Sequence, residues 1–365
     1  MGFSCGIVGL PRVGKTTIFN ALTASEAQVG TFTSASADPN IAQVNVPDPR
    51  LDDLGQTFKS KKITPTTLQF VDVAGLVRGS SSGGGLGNQF LAHIREVEAI
   101  VHVVRCFDDG AVQHEEGSVN PVRDAETIHL ELALADLATV ERRLDRAAKV
   151  ARSGDAEARR LTGALDAVKA VLEEGRPARE AELSPEDWRL LYDLHLLTVK
   201  PLMYVANIDE NGLAEDHPYA SALEALAEKE NVPCVRICGK IEAEMAALPD
   251  EERQEFMEAY GLKKSGLAKL IHAGFSLLNL MTYLTAGEKE TRAWTITRGT
   301  RAPQAAGKIH SDLERGFIRL EVYSYDDWVT SGRDEKKVKE KGLWRSEGKE
   351  YVMREGDVCL FRFNV

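Results

Sequence analysis

The chain has 365 residues, 43% hydrophobic and 28% charged, with a formal net charge of −11. That is length enough for a full core and two or three structural units, and too acidic a balance for a protein that coats nucleic acid over its whole surface. Five scattered cysteines (Cys5, Cys106, Cys234, Cys238, Cys359) make no disulfide framework, and no run of about 18 apolar residues is present, so a disulfide scaffold and a membrane protein are both excluded and a cytoplasmic protein is expected.

The first apolar run, "FSCGIVGL" at 3–10, reads as a buried strand, and a helix is expected from about Lys15 to Leu22. "AQVNVPD" at 42–48 alternates and reads as an edge strand. Further short apolar runs follow at 66–75, 99–107, 200–208 and 232–238, each closing in polar or glycine residues with helical text between them. Such runs are the pattern of parallel strands buried on both faces. The expected fold is α/β, a doubly wound sheet with its ligand at the carboxyl ends of the strands.

From 124 to 198 the text changes. Leu137, Val140, Leu144, Ala147 and Ala151 step by three and four, and Leu161, Leu165, Val168 and Leu172 repeat the pattern after a "SGD" break. This spacing predicts two antiparallel helices, and "SPED" at 184–187 opens a third with Ser184 as cap. Beyond 281 the chain turns β-rich, with a charged helical piece at 332–342. This stretch holds 16 Lys/Arg against 14 Asp/Glu, which leaves room for RNA contact. The expected domains are 1–123 with 199–280 for the nucleotide, 124–198 as an inserted helical hairpin, and 281–365 as a small α+β module.

Gly9-Leu-Pro-Arg-Val-Gly-Lys-Thr16 matches GxxxxGK[ST] between a predicted strand and a predicted helix. The glycines let backbone N–H groups wrap a phosphate chain, Lys15 spans the β/γ-phosphates, and the Thr16 hydroxyl reaches Mg²⁺. Asp72-Val-Ala-Gly75 follows at the end of a strand. At that distance Asp72 reaches the metal through water and the Gly75 N–H meets the γ-phosphate. "TFTSASADPN" at 31–40 offers four hydroxyls to complete the metal shell.

GTPases read guanine with Asn-Lys-x-Asp, whose aspartate takes hydrogen bonds from N1–H and the 2-amino group. Here the text is Asn207-Ile208-Asp209-Glu210. Ile208 replaces the lysine stem, Asp209 comes a step early, and Glu210 is one methylene too long. ATP is therefore the expected nucleotide, with a GTPase of degenerate loop as the alternative.

The order of "GIVGLPRVGKTT", "ADPNIAQVNVPDPR", "FVDVAGLVRG", "GGGLGNQFLAHIRE", "ANIDE" and the long tail from "TAGEKETRAWTITRG" resembles the YchF/Obg-like ATPase family over nearly the whole chain. The resemblance implies a Ras-like P-loop domain interrupted by the hairpin, a C-terminal TGS-type β-grasp domain, and slow Mg²⁺-dependent ATP hydrolysis. It also implies association with the ribosome (large subunit or 70S), with RNA contact through the TGS and helical domains, in a monomeric cytosolic regulator of translation or stress response. By position, Arg12, Val13, Gly14, Lys15, Thr16 and Thr17 hold the phosphates, Asn207, Ile208 and Glu210 lie at the adenine, and Ser36 is the switch hydroxyl on Mg²⁺. The family usually has a threonine there, in a Phe-Cys-Thr-Ile run, where this chain has "SASA", and often Ser-Ala-Lys where it has Cys238-Gly239-Lys240.

Leu76 stands where a Ras-like protein has its water-orienting glutamine, so intrinsic hydrolysis is expected to be slow. His114, in "AVQHEEG", is one candidate to help, against the plainer reading of a solvated surface histidine; His93 and His102 read as structural. Arg12 is the other. Related potassium-using proteins, and most of this family, carry asparagine at that loop position. An arginine there either replaces the monovalent ion with a fixed cation or pairs with surface acids. Two other readings remain: a ribosome- or RNA-binding scaffold with vestigial hydrolysis, and a GTPase of ribosome assembly.

Overall fold

The computed structural model describes residues 3–24, 40–73, 85–213 and 217–364. The chain folds into two units, one of 1–43 with 69–274 and the other of 44–68 with 275–365. In chain order the elements begin β1 (Ser4–Val8), α1 (Lys15–Ala24), β2 (Asn40–Asn45), α2 (Pro49–Thr57), β3 (Ile63–Thr64), β4 (Thr67–Asp72), α3 (Gly85–Glu96) and β5 (Ala99–Cys106). The long helices α4 (Pro121–Ala151) and α5 (Ala156–Glu173) and the short α6 (Pro185–Leu190) follow. Then come β6 (Leu202–Ile208), α7 (Pro218–Lys229), β7 (Cys234–Ile237), α8 (Gly239–Ala246), α9 (Asp250–Ala259) and α10 (Gly266–Leu277). The rest is β8 (Leu280–Thr285), β9 (Thr291–Thr297), α11 (Ala302–Ile309), α12 (Ser311–Arg315), β10 (Phe317–Ser324), α13 (Tyr325–Thr330), α14 (Glu335–Glu340), β11 (Arg345–Glu347) and β12 (Asp357–Phe363).

In the first unit the sheet order is β2-β4-β1-β5-β6-β7, with β4, β1, β5, β6 and β7 parallel. The alternating 42–48 run supplies β2, at the sheet edge as its pattern predicts. Every residue of β1, β5 and β6 is buried, which is why these strands read as unbroken apolar runs. The order reverses at β1: β4 lies on one side and β5, β6, β7 on the other. The carboxyl end of β1 is therefore the topological switch point, where an open α/β sheet leaves a crevice.

The hairpin is built as its spacing predicts. Val140, Ala147, Ala164, Leu165, Val168 and Leu172 are buried between α4 and α5, with Leu137, Leu144 and Leu161 packed against them. Asn120 caps α4 by accepting from the Arg123 N–H at 3.1 Å, and Pro121 takes the first position, where no N–H is needed. Asp155 caps α5 from the Ala158 N–H at 2.8 Å, and Ser184 caps α6 from the Asp187 N–H at 3.1 Å. The buried Asp136 accepts from the backbone of Leu197 and Thr198, each at 2.8 Å, and from the Thr198 hydroxyl, tying the return of the chain to α4.

The second unit has the sheet order β11-β10-β12-β8-β9-β3. Tyr283, Ile296, Ala305, Leu320 and Phe361 fill one core with α11. A second core contains Trp328, Tyr323 and Val338 together with Leu51 and Leu54 of α2. The grouping of 44–68 with this unit departs from the domain boundaries expected above, and the reason is apolar burial. Leu51 and Leu54 form one stripe of α2 that closes over Trp328, and β3 adds to the edge of β9. Asp53, on the same helix, accepts from Tyr325 at 2.6 Å and from Arg333 at 2.9 Å.

Candidate nucleotide site

The turn after β1 is shaped by two glycines that no other residue can replace. Gly14 has φ +96°, and a Cβ there would fall on Asn207 Nδ2; Gly9 has φ +153°, and a Cβ would fall on the Val103 carbonyl oxygen. The loop closes over Lys15, whose buried Nζ donates to the carbonyls of Gly9 at 3.0 Å and Leu10 at 2.7 Å. Burial pushes the Lys15 ammonium down to about 8, with Asp72 acting in the opposite direction. Asp72, at the end of β4, is raised by burial and held back by Lys15. An anion that replaces lost water around this ammonium restores its charge, so the resting loop is prepared for phosphate.

The loop opens into a cleft of about 860 Å³ lined by Arg12, Gly14, Lys15, Thr16 and Thr17 on the phosphate side and by Asn207, Ile208, Asp209, Glu210 and Lys240 on the other. Thr16 and Thr17 are exposed to it, whereas Val13 is buried. The structure thus brings nearly all the described nucleotide candidates to one crevice, at the carboxyl ends of β1, β5 and β6.

Asn207 links two loops. It is 5% exposed, its Nδ2 donates to the Val13 carbonyl at 2.8 Å, and its Oδ1 accepts from the Gly239 N–H at 3.0 Å. One bond from each polar end joins the phosphate loop to the loop before α8, and the residue still lines the cleft. The Ile208 side chain is buried at 2%. Asp209 folds back on its own loop, accepting from the Gly212 N–H at 3.0 Å. Glu210 remains at the cleft, paired with Lys240 at 2.6 Å.

A third wall, 107–112, had no signature in the motifs. Its organiser is Arg105, a buried charge at the end of an apolar strand. Arg105 Nε donates to the Phe107 carbonyl at 3.0 Å and NH1 to that of Val112 at 2.9 Å, while the guanidinium lies 4.6 Å from the centre of the Phe107 ring. One rigid fork therefore holds a whole loop against the cleft. An arginine inside "AIVHVVRCF" was the signal that could have found it, since a buried charge needs partners.

His114 is neither solvated nor at the cleft. Its Nδ1 accepts from the Glu116 N–H at 3.1 Å, so the other nitrogen carries the proton and donates to Asp124 at 2.8 Å. Its side chain is 7% exposed. Arg12 sits at the cleft rim with φ +61° and pairs with Glu115 at 2.7 Å, both side chains being over a third exposed. Ser36, Gly75 and Leu76 lie outside the described residues.

Two family models match. YchF-GTPase_C, a family of unknown function, covers residues 280–364, and the family described as 50S ribosome-binding GTPase covers 4–143. Over the full length of both chains, this chain is 50% identical to "Ribosome-binding ATPase YchF" of Escherichia coli O157:H7 and 48% identical to that of Bacillus subtilis. The chain belongs to the YchF family. A solved structure of the Schizosaccharomyces pombe YchF GTPase superposes with a TM-score of 0.87 at 36% identity, covering 99% of this chain and 98% of that one. The YchF fold accounts for a P-loop sheet, a helical hairpin and a C-terminal sheet in one chain. All five cysteines of this YchF-family member are free. Among the described residues no helix is long and apolar enough to cross a membrane.

Proposed function

We propose that this chain is a cytoplasmic ATPase that binds and slowly hydrolyses ATP as a switch and associates with ribosomes. The bacterial relatives named above support both halves of that reading, although the yeast relative is named a GTPase. The observation that carries the nucleotide choice is the Glu210–Lys240 pair. Guanine recognition needs a carboxylate free to accept from N1–H and the 2-amino group together. Here Glu210 has its charge met by an ammonium at 2.6 Å, and Asp209, which also lines the cleft, has one oxygen engaged by the Gly212 N–H at 3.0 Å. Guanine gains no fork, so its usual advantage is lost.

Magnesium fits the residues present. Mg²⁺ is held by one or two protein oxygens, phosphate oxygens and water rather than by a protein cage. Among the described residues no group of three or more His, Cys, Asp or Glu side chains makes such a cage, while the exposed Thr16 hydroxyl and the Asp72 carboxyl flank Lys15. Thr16 would hold the ion directly, with Ser36, and Asp72 through water. The ion neutralises charge on the β- and γ-phosphates when bound. Lys15 binds and orients the same phosphates, Arg12 and Thr17 lie beside them, and the Gly75 N–H would face the γ-phosphate. Slow turnover is expected from Leu76 in place of a water-orienting glutamine, and the two hydrogen bonds that engage both ring nitrogens of His114 agree with it.

Competition of ATP and GTP for the purified protein in the presence of Mg²⁺ tests the reading. ATP is expected to bind at least tenfold more tightly. Equal or reversed affinities overturn it. The double substitution I208K/E210D, which rebuilds the guanine loop, is expected to shift the ratio toward GTP.

A further inference from the structure

Where the first turns of α4 cross the sheet there is a second cavity, of about 590 Å³. Ile100 and Leu202 place it at the amino ends of β5 and β6, the opposite end of those strands from the nucleotide cleft. Leu130 and Leu132 of α4 and Leu197 complete an aliphatic lining. Among the described residues no phenylalanine, tyrosine or tryptophan lines it.

The polar groups of this wall are held from behind and open in front. Tyr204 donates its hydroxyl proton to Glu230 Oε2 at 2.9 Å, and its oxygen lies 3.0 Å from His129 Nε2. A hydroxyl has one proton, so the proton of the second contact belongs to Nε2, and His129 Nδ1 is left as an acceptor. Facing Nδ1 at 3.7 Å is Glu230 Oε1, another acceptor. Two acceptors therefore meet with no donor for either among the described residues. The cations of the lining divide in the same way. Arg176 is engaged by Glu180 at 2.8 Å, and Lys200 by the carbonyls of Arg95 and Val97. Arg179 is anchored through NH1 alone, on the Thr198 carbonyl at 3.1 Å. Neither Arg179 nor the exposed Lys229 has a carboxylate within 4 Å among the described residues, and the exposed Glu126 is the remaining carboxylate of the lining.

Such a wall suits a positively charged donor nitrogen with an anion close beside it. Burial disfavours the charge of Glu230, and Arg179 lies near enough for its field to act on both Glu230 and His129. An ammonium between Nδ1 and Oε1 supplies the missing donor and favours the ionised carboxylate. A nucleotide base would call for an aromatic platform, which this lining lacks. An α-amino acid carries ammonium and carboxylate on one carbon and points its side chain away from both. We propose that this cavity binds a free α-amino acid with an aliphatic side chain. Its ammonium donates to His129 Nδ1 and Glu230 Oε1, its carboxylate meets Arg179 and Lys229, and its side chain lies on the aliphatic lining. The proposal does not depend on which nucleotide the cleft takes.

The test is calorimetric titration of the full chain with leucine, the nucleotide cleft being saturated with Mg²⁺ and a non-hydrolysable ATP analogue. Leucine is expected to bind at one equivalent with a Kd below about 1 mM, within reach of a ligand of so few atoms. The analogue 4-methylpentanoate lacks the ammonium and 3-methylbutylamine lacks the carboxylate. Each is expected to bind about tenfold or more weakly than leucine, having lost a charge-assisted contact. E230Q, which keeps an acceptor for Tyr204, is expected to weaken leucine by about tenfold or more. K229Q changes an exposed side chain, so its melt is expected to match the native one while leucine binds a few-fold more weakly. Native-like leucine affinity in both variants overturns the proposal, and so does an analogue that binds as tightly as leucine. An absence of leucine binding up to about 10 mM overturns it as well. Cytidine monophosphate binding more tightly than leucine would assign the cavity to a nucleotide instead.

Discussion

Asn207 ties the phosphate loop to the base side of the cleft: its amide donates to the Val13 carbonyl at 2.8 Å while its carbonyl takes the Gly239 N–H at 3.0 Å. A residue so engaged fixes the distance between the two loops. Asn207→Ala leaves the Val13 carbonyl and the Gly239 N–H buried without this partner, at a cost of about 1–3 kcal/mol for each group left unsatisfied. The variant is expected to melt lower and to lose affinity for ATP and GTP by similar factors. Parallel titrations with the two nucleotides check it. A changed ATP/GTP ratio would make Asn207 a reader of the base after all.

The face of the sheet beneath α4 and α7 carries a second engaged group of side chains. Tyr204 donates to Glu230 at 2.9 Å and its oxygen meets His129 Nε2 at 3.0 Å. Burial pushes the His129 imidazole down to about 4, with the charge of Arg179 acting in the same sense. Glu230 stands 3.7 Å from Nδ1, beyond hydrogen-bond reach, and its own charge is disfavoured by burial. Desolvation therefore prevails, and His129 is neutral in the folded protein. The sign follows. Between about pH 4 and 6.5 the unfolded chain binds this proton and the folded chain does not. The contribution to stability is complete above about 6.5 and is lost as pH falls toward 4, by at most about 3 kcal/mol. Denaturant melts from pH 7.5 to 4.5 are expected to show the loss, and His129→Gln to flatten part of it. A native midpoint independent of pH in this window would contradict the assignment.

What the sequence made legible was whatever depended on local pattern. The apolar runs gave the strands, the three-and-four spacing from Leu137 to Leu172 gave the hairpin, and Gly9 to Thr16 gave the phosphate loop in its strand-to-helix setting. The rest depended on residues far apart in the chain meeting in space. Nothing local says that Asn207 spends both ends of its amide on backbone, that Lys240 neutralises Glu210, or that His114 is covered by Asp124 ten residues on. The placement of 44–68 was hidden for the same reason: its apolar stripe, Leu51 and Leu54, finds Trp328 nearly three hundred residues away.

Arg12 is where backbone and chemistry can be separated. Its φ of +61° is one that asparagine or glycine adopts more readily, at a cost to other residues of about 1 kcal/mol. Against this stands an exposed pair with Glu115, worth roughly 0–1 kcal/mol. The two effects offset, so Arg12→Asn is expected to leave the melting temperature within about 2 °C of native, and a change in hydrolysis then reports on the guanidinium. If the guanidinium leaves Glu115 for the phosphates, it would supply without an ion the positive charge that phosphoryl transfer demands. Native hydrolysis is therefore expected to proceed at the same rate, within about twofold, in potassium and in sodium salts. Arg12→Asn, having exchanged the cation for a neutral amide, is expected to turn over more slowly in sodium and to recover in potassium. A native rate that climbs steeply with potassium would show that the site still takes an ion, and that Arg12 serves only to hold Glu115.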